Sequence, residues 1–191
     1  MKWLLVVLFL CTGKSIVAEV EQIALTWNAL TCLDICSSSI QVNLEKIPWT
    51  HRVQVNGNLG TAAMEWDPNY PLSYEPFRAA FAATGVLIRD MRVRVRGTVH
   101  HNVGNFYIIS NGDNSRFLLI GPLEPEPGRY IPKYNLSSYP LLPRLREQLL
   151  IAEKNGFIVV ITGPLFLPEK YPLTLITEQI KIEKPIKKVY D

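Results

Sequence analysis

The chain has 191 residues, room for one or two domains of ordinary size. Hydrophobic residues make up 48% and charged residues 19%, a balance that supports a packed core and excludes a disordered chain. The formal net charge is only +3, so composition gives no case for a nucleic-acid partner.

The N-terminus reads as a targeting segment. Lys2 is a positive start, Trp3 to Cys11 is an unbroken apolar run, and Thr12 to Ala18 is a short, more polar stretch. Nine apolar residues fall far short of the roughly 20 that a membrane-crossing helix needs. The pattern predicts a secretory signal, residues 1–18, cleaved after Ala18. Cleavage removes Lys2, Lys14 and no acid, leaving 18 bases against 17 acids, or +1. The mature protein is then exported, periplasmic or secreted, and no later segment is long and apolar enough to hold it in a membrane. Its remaining cysteines are Cys32 and Cys36. Two cysteines four apart are no disulfide framework for a chain of this size, so they are a metal site, a local redox-active disulfide, or incidental.

In chain order, residues 21–27 alternate and carry β-formers, which predicts a strand. A helix is expected from Thr31 or Cys32 to about Lys46, with Leu33, Ile40, Leu44 and Ile47 inward and Cys36 and Val42 beside that stripe, ended by Pro48. Residues 51–55 and 61–66 read as strands around the hairpin signal at Asn56–Gly60. A second helix follows, with Ser73 as N-cap, Pro76 in the first turn, Phe77, Ala80 and Phe81 inward, and Gly85 closing it. Residues 87–96 form a strand. The order strand, helix, strand, strand, helix, strand is the ferredoxin-like split βαβ arrangement, an α+β fold, at about 20–92. The boundary near residue 91 is a short linker or a shared strand.

The pattern then becomes all-β with one helix. Strands are expected at 93–100, 104–110, 115–121, 157–162 and 173–182, with a Pro-rich loop at 122–140 and a helix at 143–155 that turns Leu145, Leu149, Leu150 and Ala152 inward. Three strands, a helix and two more strands is the order of an OB-like barrel, at about 93–185, with 186–191 as a basic tail.

The stretch Leu25-Thr26-Trp27-Asn28-Ala29-Leu30-Thr31-Cys32-Leu33-Asp34-Ile35-Cys36 resembles the opening strand and metal loop of the heavy-metal-associated domain family. The likeness continues through Ser39–Ile47, Val53–Asn56, Ala63–Pro68 and Leu72–Gly85, and covers about 22–96. It implies a copper-chaperone-like domain with Cys32 and Cys36 as the metal ligands. The chain departs from the family at Leu30, where the family has Met, and in the three residues between its cysteines, where the family has two. Thiolates are soft ligands, and two of them suffice for linear Cu(I), whereas structural zinc needs four ligands. The expected cofactor is therefore Cu(I) or a similar soft ion, and the expected partners are that ion and another envelope protein.

A second reading makes the same pair a thiol–disulfide redox site. A helix running through both would hold the Cβ atoms about 5–6 Å apart, against about 3.5–4.5 Å in a relaxed disulfide. A disulfide there requires non-helical backbone at Cys32, or a strained and easily reduced bond. A third reading is an interaction module of the cell envelope with no chemistry. No G-x-S-x-G, H-E-x-x-H or phosphate-cradling loop occurs, so a non-enzymatic role is expected, with thiol–disulfide exchange the enzymatic alternative. His51 is expected at the surface, and His100-His101 as one inward and one solvated residue. Arg89, Arg92, Arg94 and Arg96 form the main basic cluster. With Phe106, Tyr107 and Phe117 they would make a nucleic-acid face, but export and simple alternation favour a solvated strand face.

Overall fold

The structure is a computed structural model that describes residues 20–31, 34–110, 112–122 and 139–183. The signal segment, Cys32, Leu33, most of the Pro-rich loop and the basic tail lie outside the described residues.

The fold is α+β, and the described residues form one continuous nine-stranded sheet and three α-helices. In chain order these are β1 (Val20–Trp27), α1 (Asp34–Glu45), β2 (Thr50–Asn56), β3 (Thr61–Trp66), α2 (Glu75–Ala82), β4 (Ile88–Asn102), β5 (Asn105–Ser110), β6 (Arg116–Ile120), α3 (Pro143–Lys154), β7 (Ile158–Pro164), β8 (Leu173–Ile176) and β9 (Gln179–Glu183). A single 3-10 turn, Ala29–Thr31, separates β1 from α1.

The first four strands lie in the order β2-β3-β1-β4, every neighbour antiparallel. Period-two alternation puts Ile23, Leu25 and Trp27, Ala62, Met64 and Trp66, and Met91, Val93 and Val95 into the core. The helices cover them with Ile40 and Leu44 from α1 and Phe77, Ala80 and Phe81 from α2. Burying Phe77 and Phe81 contributes about 1.5–3 kcal/mol each. The edge strand β2 is blunted: its register shifts between His51 and Gln54, and Arg52 turns to φ 50°.

The later strands close into a ring. β4 pairs β5, β5 pairs β6, and β6 pairs β8 in parallel. On the other side β4 pairs β7, and β7 pairs β9. The seam lies at residues 177–178, where the Thr177 N–H donates to the Ile120 carbonyl and the Glu178 N–H to the Thr162 carbonyl. Close approach here depends on glycine. A Cβ on Gly163 would land on the Ile176 carbonyl oxygen, and one on Gly97 on the Ile109 carbonyl oxygen.

β4 belongs to both parts. Residues 92–95 pair β1 along one edge and β7 along the other. Beyond Arg96 the first edge passes from β1 to β5. Buried residues of both parts form one contiguous cluster from Val20 to Leu175.

Several expectations need correction. The strands expected at 87–96 and 93–100 are one strand, and the strand expected at 173–182 is two, because its halves bond to different neighbours. Ser73 is not the N-cap of α2: Tyr74 holds that position without a side-chain cap bond. Val42 and Leu150 are exposed, since each lies off the buried stripe of its helix, set by Ile40 and Leu44 in α1 and by Leu149 and Ala152 in α3.

Candidate functional site: the loop and first turn around Cys36

Cys36 sits in the first turn of α1, half-buried, and its side chain packs against the core. Cys36 is disulfide-bonded. The other two cysteines of the chain, Cys11 and Cys32, lie outside the described residues. α1 begins at Asp34, two residues after Cys32 in the sequence.

The approach to the site is held by local hydrogen bonds. The Asn28 side-chain oxygen accepts the Leu30 N–H at 3.1 Å, and the Asn28 carbonyl accepts the Thr31 N–H at 3.0 Å and the Thr31 hydroxyl at 2.7 Å. Asn28 thus nucleates the 3-10 turn, as Asn does in tight turns. The β2–β3 hairpin supports the turn from the side. The Trp27 N–H donates to the Gly60 carbonyl at 2.9 Å. Gly60 has φ 62°, and a Cβ there would stand 2.5 Å from the Trp27 carbonyl oxygen. Gly57 faces the helix, where a Cβ would stand 2.7 Å from the Ser37 Cβ.

Behind the site, α1 is fixed by buried Ile40 and Leu44, by the Asn43 amide donating to the Ala80 carbonyl at 3.2 Å, and by the Thr50 hydroxyl donating to the Leu44 carbonyl at 2.7 Å. In front lie three exposed leucines: Leu30 after β1, Leu59 in the hairpin, and Leu87 one residue before Ile88, which pairs Trp27. Segments 28–31, 36–39, 57–60 and 83–87 contain no Asp, Glu, Lys, Arg or His. These segments are therefore uncharged, with the polar side chains of Asn28, Thr31, Ser37, Ser38, Ser39, Asn58 and Thr84 among them.

Among the described residues no group of three or more His, Cys, Asp and Glu side chains could hold a metal ion. In the disulfide form Cys36 has no thiolate to offer a metal ion.

The remaining candidates are not brought to this site. His51 is exposed, 4.0 Å from Asp67. His100 and His101 are both exposed, which corrects the expectation that one points inward. The backbone N–H of His101 donates to Glu153 at 3.0 Å, and its ring Nδ1 lies 2.5 Å from the other Glu153 oxygen. Burial pushes the Glu153 carboxyl up, but the His101 N–H, the His101 ring and the nearby His100 outweigh it and hold it below the usual range. A depressed folded value stabilises the fold above the unfolded pKa, and that contribution is lost as pH falls through the folded one. His101→Ala is therefore expected to raise the Glu153 pKa and to move the acid-unfolding midpoint to higher pH. An NMR titration of the Glu153 carboxyl checks this, and an unchanged value would remove His101 as the cause.

Three arginines of the basic cluster are tied into ion pairs along β4. Arg92 pairs Glu178, Arg94 pairs Glu21 at 2.6 Å, and Arg96 pairs Glu183. Phe106 and Phe117 are buried, and the Arg116 guanidinium covers the Tyr107 ring at 3.8 Å. The nucleic-acid face considered from the sequence is not formed by these residues. A cleft of about 360 Å³ that the sequence did not signal opens between Tyr74, Asp113, Arg116, Glu169, Tyr171 and Leu173. Burial, with Glu169 nearby, raises the Tyr74 hydroxyl pKa there.

No protein-family model matches the chain, and no curated protein or solved structure matches it with significance. Among the described residues no helix is long and apolar enough to cross a membrane. The class that fold and site define is an α+β protein with a disulfide-bonded cysteine in the first turn of α1.

Proposed function

We propose that this is an exported, non-enzymatic soft-metal-binding protein that takes Cu(I) or a similar ion between the thiolates of Cys32 and Cys36. Residues 20–92 are read as a ferredoxin-like domain of the heavy-metal-associated kind, and 93–185 as an OB-like barrel that presents it to an envelope partner. The observation that carries the reading is the position of Cys36. It is half-buried in the first turn of α1, the helix that follows β1 of an antiparallel sheet ordered β2-β3-β1-β4. That order puts β3 between β1 and β2, which supports the ferredoxin-like reading. The ring of strands with a helix between β6 and β7 supports the barrel assignment in the same way.

The residues that would hold the ion are the two sulfurs, and two-coordinate thiolate binding supplies reversible carriage of a soft cation. The first turn of α1 contributes a positive helix end that favours thiolate over thiol at Cys36. Asn28 and Gly60 hold the 3-10 turn before α1, and Gly57 lets the hairpin approach Ser37. The test is anaerobic Cu(I) titration of the reduced mature chain against a competing chelator, beside the Cys32→Ser/Cys36→Ser double variant. One tightly held ion per chain, lost in the variant, is expected. Equal binding by both proteins would overturn the assignment.

A second reading, thiol–disulfide exchange as the activity itself, is favoured by one observation: Cys36 is oxidised in the structure. The reduction potential of the pair, and catalysed reduction of a disulfide substrate, separate it from metal carriage.

A further inference from the structure

We propose that the cleft of about 360 Å³ between the loop before α2 and the segments 113–116 and 168–173 binds one unit of an acidic saccharide, a sugar ring that carries a carboxylate. Arg116 takes the carboxylate, and Tyr74, Glu169 and Lys170 take ring hydroxyls. The site is separate from Cys36 and stands whether or not the metal reading holds.

Hydrogen bonds between the two parts of the chain hold the cleft in shape. The Leu72 N–H donates to the Asp113 carboxylate at 3.3 Å and to the Ser115 hydroxyl at 3.0 Å. Asp113 also accepts the Ser115 N–H at 3.1 Å and the Ser115 hydroxyl. These donors occupy the Asp113 carboxylate, and Arg78 holds Glu75 at 2.8 Å. Of the three acids that line the cleft, only Glu169 is left uncommitted. The two bases in the lining, Arg116 and Lys170, have no acid partner among the described residues.

The open groups select the ligand. The Arg116 guanidinium lies over the Tyr107 ring at 3.8 Å, which steadies a planar fork of donors suited to a carboxylate or phosphate. A phosphate brings about two negative charges at neutral pH. It would meet three acids and only two bases, whereas a carboxylate brings one charge and Arg116 matches it. The remaining polar lining is neutral. Ser73, Asn114 and the Tyr74 hydroxyl make no side-chain hydrogen bond among the described residues. Burial, with Glu169 nearby, keeps the Tyr74 hydroxyl protonated and a donor. Such groups give and accept hydrogen bonds as sugar hydroxyls do. Tyr171 also lines the cleft, is 86% exposed and has no ring partner among the described residues, so it offers a flat apolar face to the C–H side of a sugar. Ligand pockets run from about 300 to 1,000 Å³, and the small end of that range suits one or two rings.

The test is amide chemical-shift titration of the full mature chain with sodium D-glucuronate, D-glucose, sodium acetate and inorganic phosphate. Glucuronate is expected to give saturable shifts in 71–75, 113–116 and 168–173. Glucose should bind there about tenfold more weakly, the loss that follows when a charge-assisted hydrogen-bonded pair is missing. Arg116→Gln should bring glucuronate down to the level of glucose. Tyr171→Ala should weaken both sugars alike, and both variants should keep the spectrum outside the cleft. Acetate or phosphate binding as tightly as glucuronate would show a site that reads charge alone, and would overturn the saccharide. No saturable shift in the cleft, or a glucuronate affinity unchanged in either variant, would overturn it as well.

Discussion

Gly163→Ala is expected to cost about 3 kcal/mol or more, a large fraction of a total stability of about 5–15 kcal/mol. Gly163 pairs Val93 across β4 and β7, and the space where its Cβ would go is already filled by the Ile176 carbonyl. The obstacle is backbone, which cannot rotate aside as a side chain can. Either β7 moves off β4 or β8 moves off β6, and both movements open the ring at the Thr177–Glu178 seam. The control is Gly104→Ala. Gly104 has φ 88° but nothing within 4 Å of a Cβ, so only backbone strain of about 1–2 kcal/mol should appear. Urea unfolding compares the two variants. Equal midpoints would show that closure does not depend on this approach.

Gly60→Ala should be the most damaging single change near the cysteines that leaves them in place. Two costs combine: a left-handed backbone at φ 62°, and a Cβ set 2.5 Å from the Trp27 carbonyl oxygen. Together they amount to about 2–4 kcal/mol. The damage should be local, because the hairpin must draw back from the end of β1 and take its support from the 3-10 turn. We expect a lower chelator-competition affinity for Cu(I), faster alkylation of the reduced pair and a changed near-ultraviolet signal from Trp27, with the signals of β5 to β9 kept. A stability change within about 0.5 kcal/mol would mean that the contact is not made in solution.

Strand and helix positions were legible wherever one face is buried. Ile23, Leu25 and Trp27 alternate cleanly, as do Met91, Val93 and Val95, and each set fills the core. Phe77, Ala80 and Phe81 likewise announced the inner face of α2. What the sequence could not convey was partner choice. Leu173–Ile182 contains no Gly or Pro, so nothing local marks the break after Ile176. The break exists because Thr177 bonds toward β6 and Glu178 toward β7. The continuity of β4 was hidden for a similar reason. Arg92–Arg96 satisfies the alternation of the preceding part and of the following one, so it reads equally as an end and as a beginning. Around Cys36, Gly57 and Gly60 read in the sequence only as hairpin residues. Their role depends on which surfaces the hairpin meets, Ser37 and Trp27, and that is a tertiary fact.

The shared strand makes the chain indivisible. A cut anywhere inside Ile88–Asn102 takes an inner strand from one part or both, because Arg92–Val95 has backbone partners on its two sides from opposite ends of the sequence. An excised first part would lose the strand beside β1, and an excised second part the strand between β5 and β7. Neither can be transplanted alone without carrying a copy of β4. The two parts therefore have no hinge between them, and any load applied to the cysteine end reaches the ring through continuous backbone rather than through a linker.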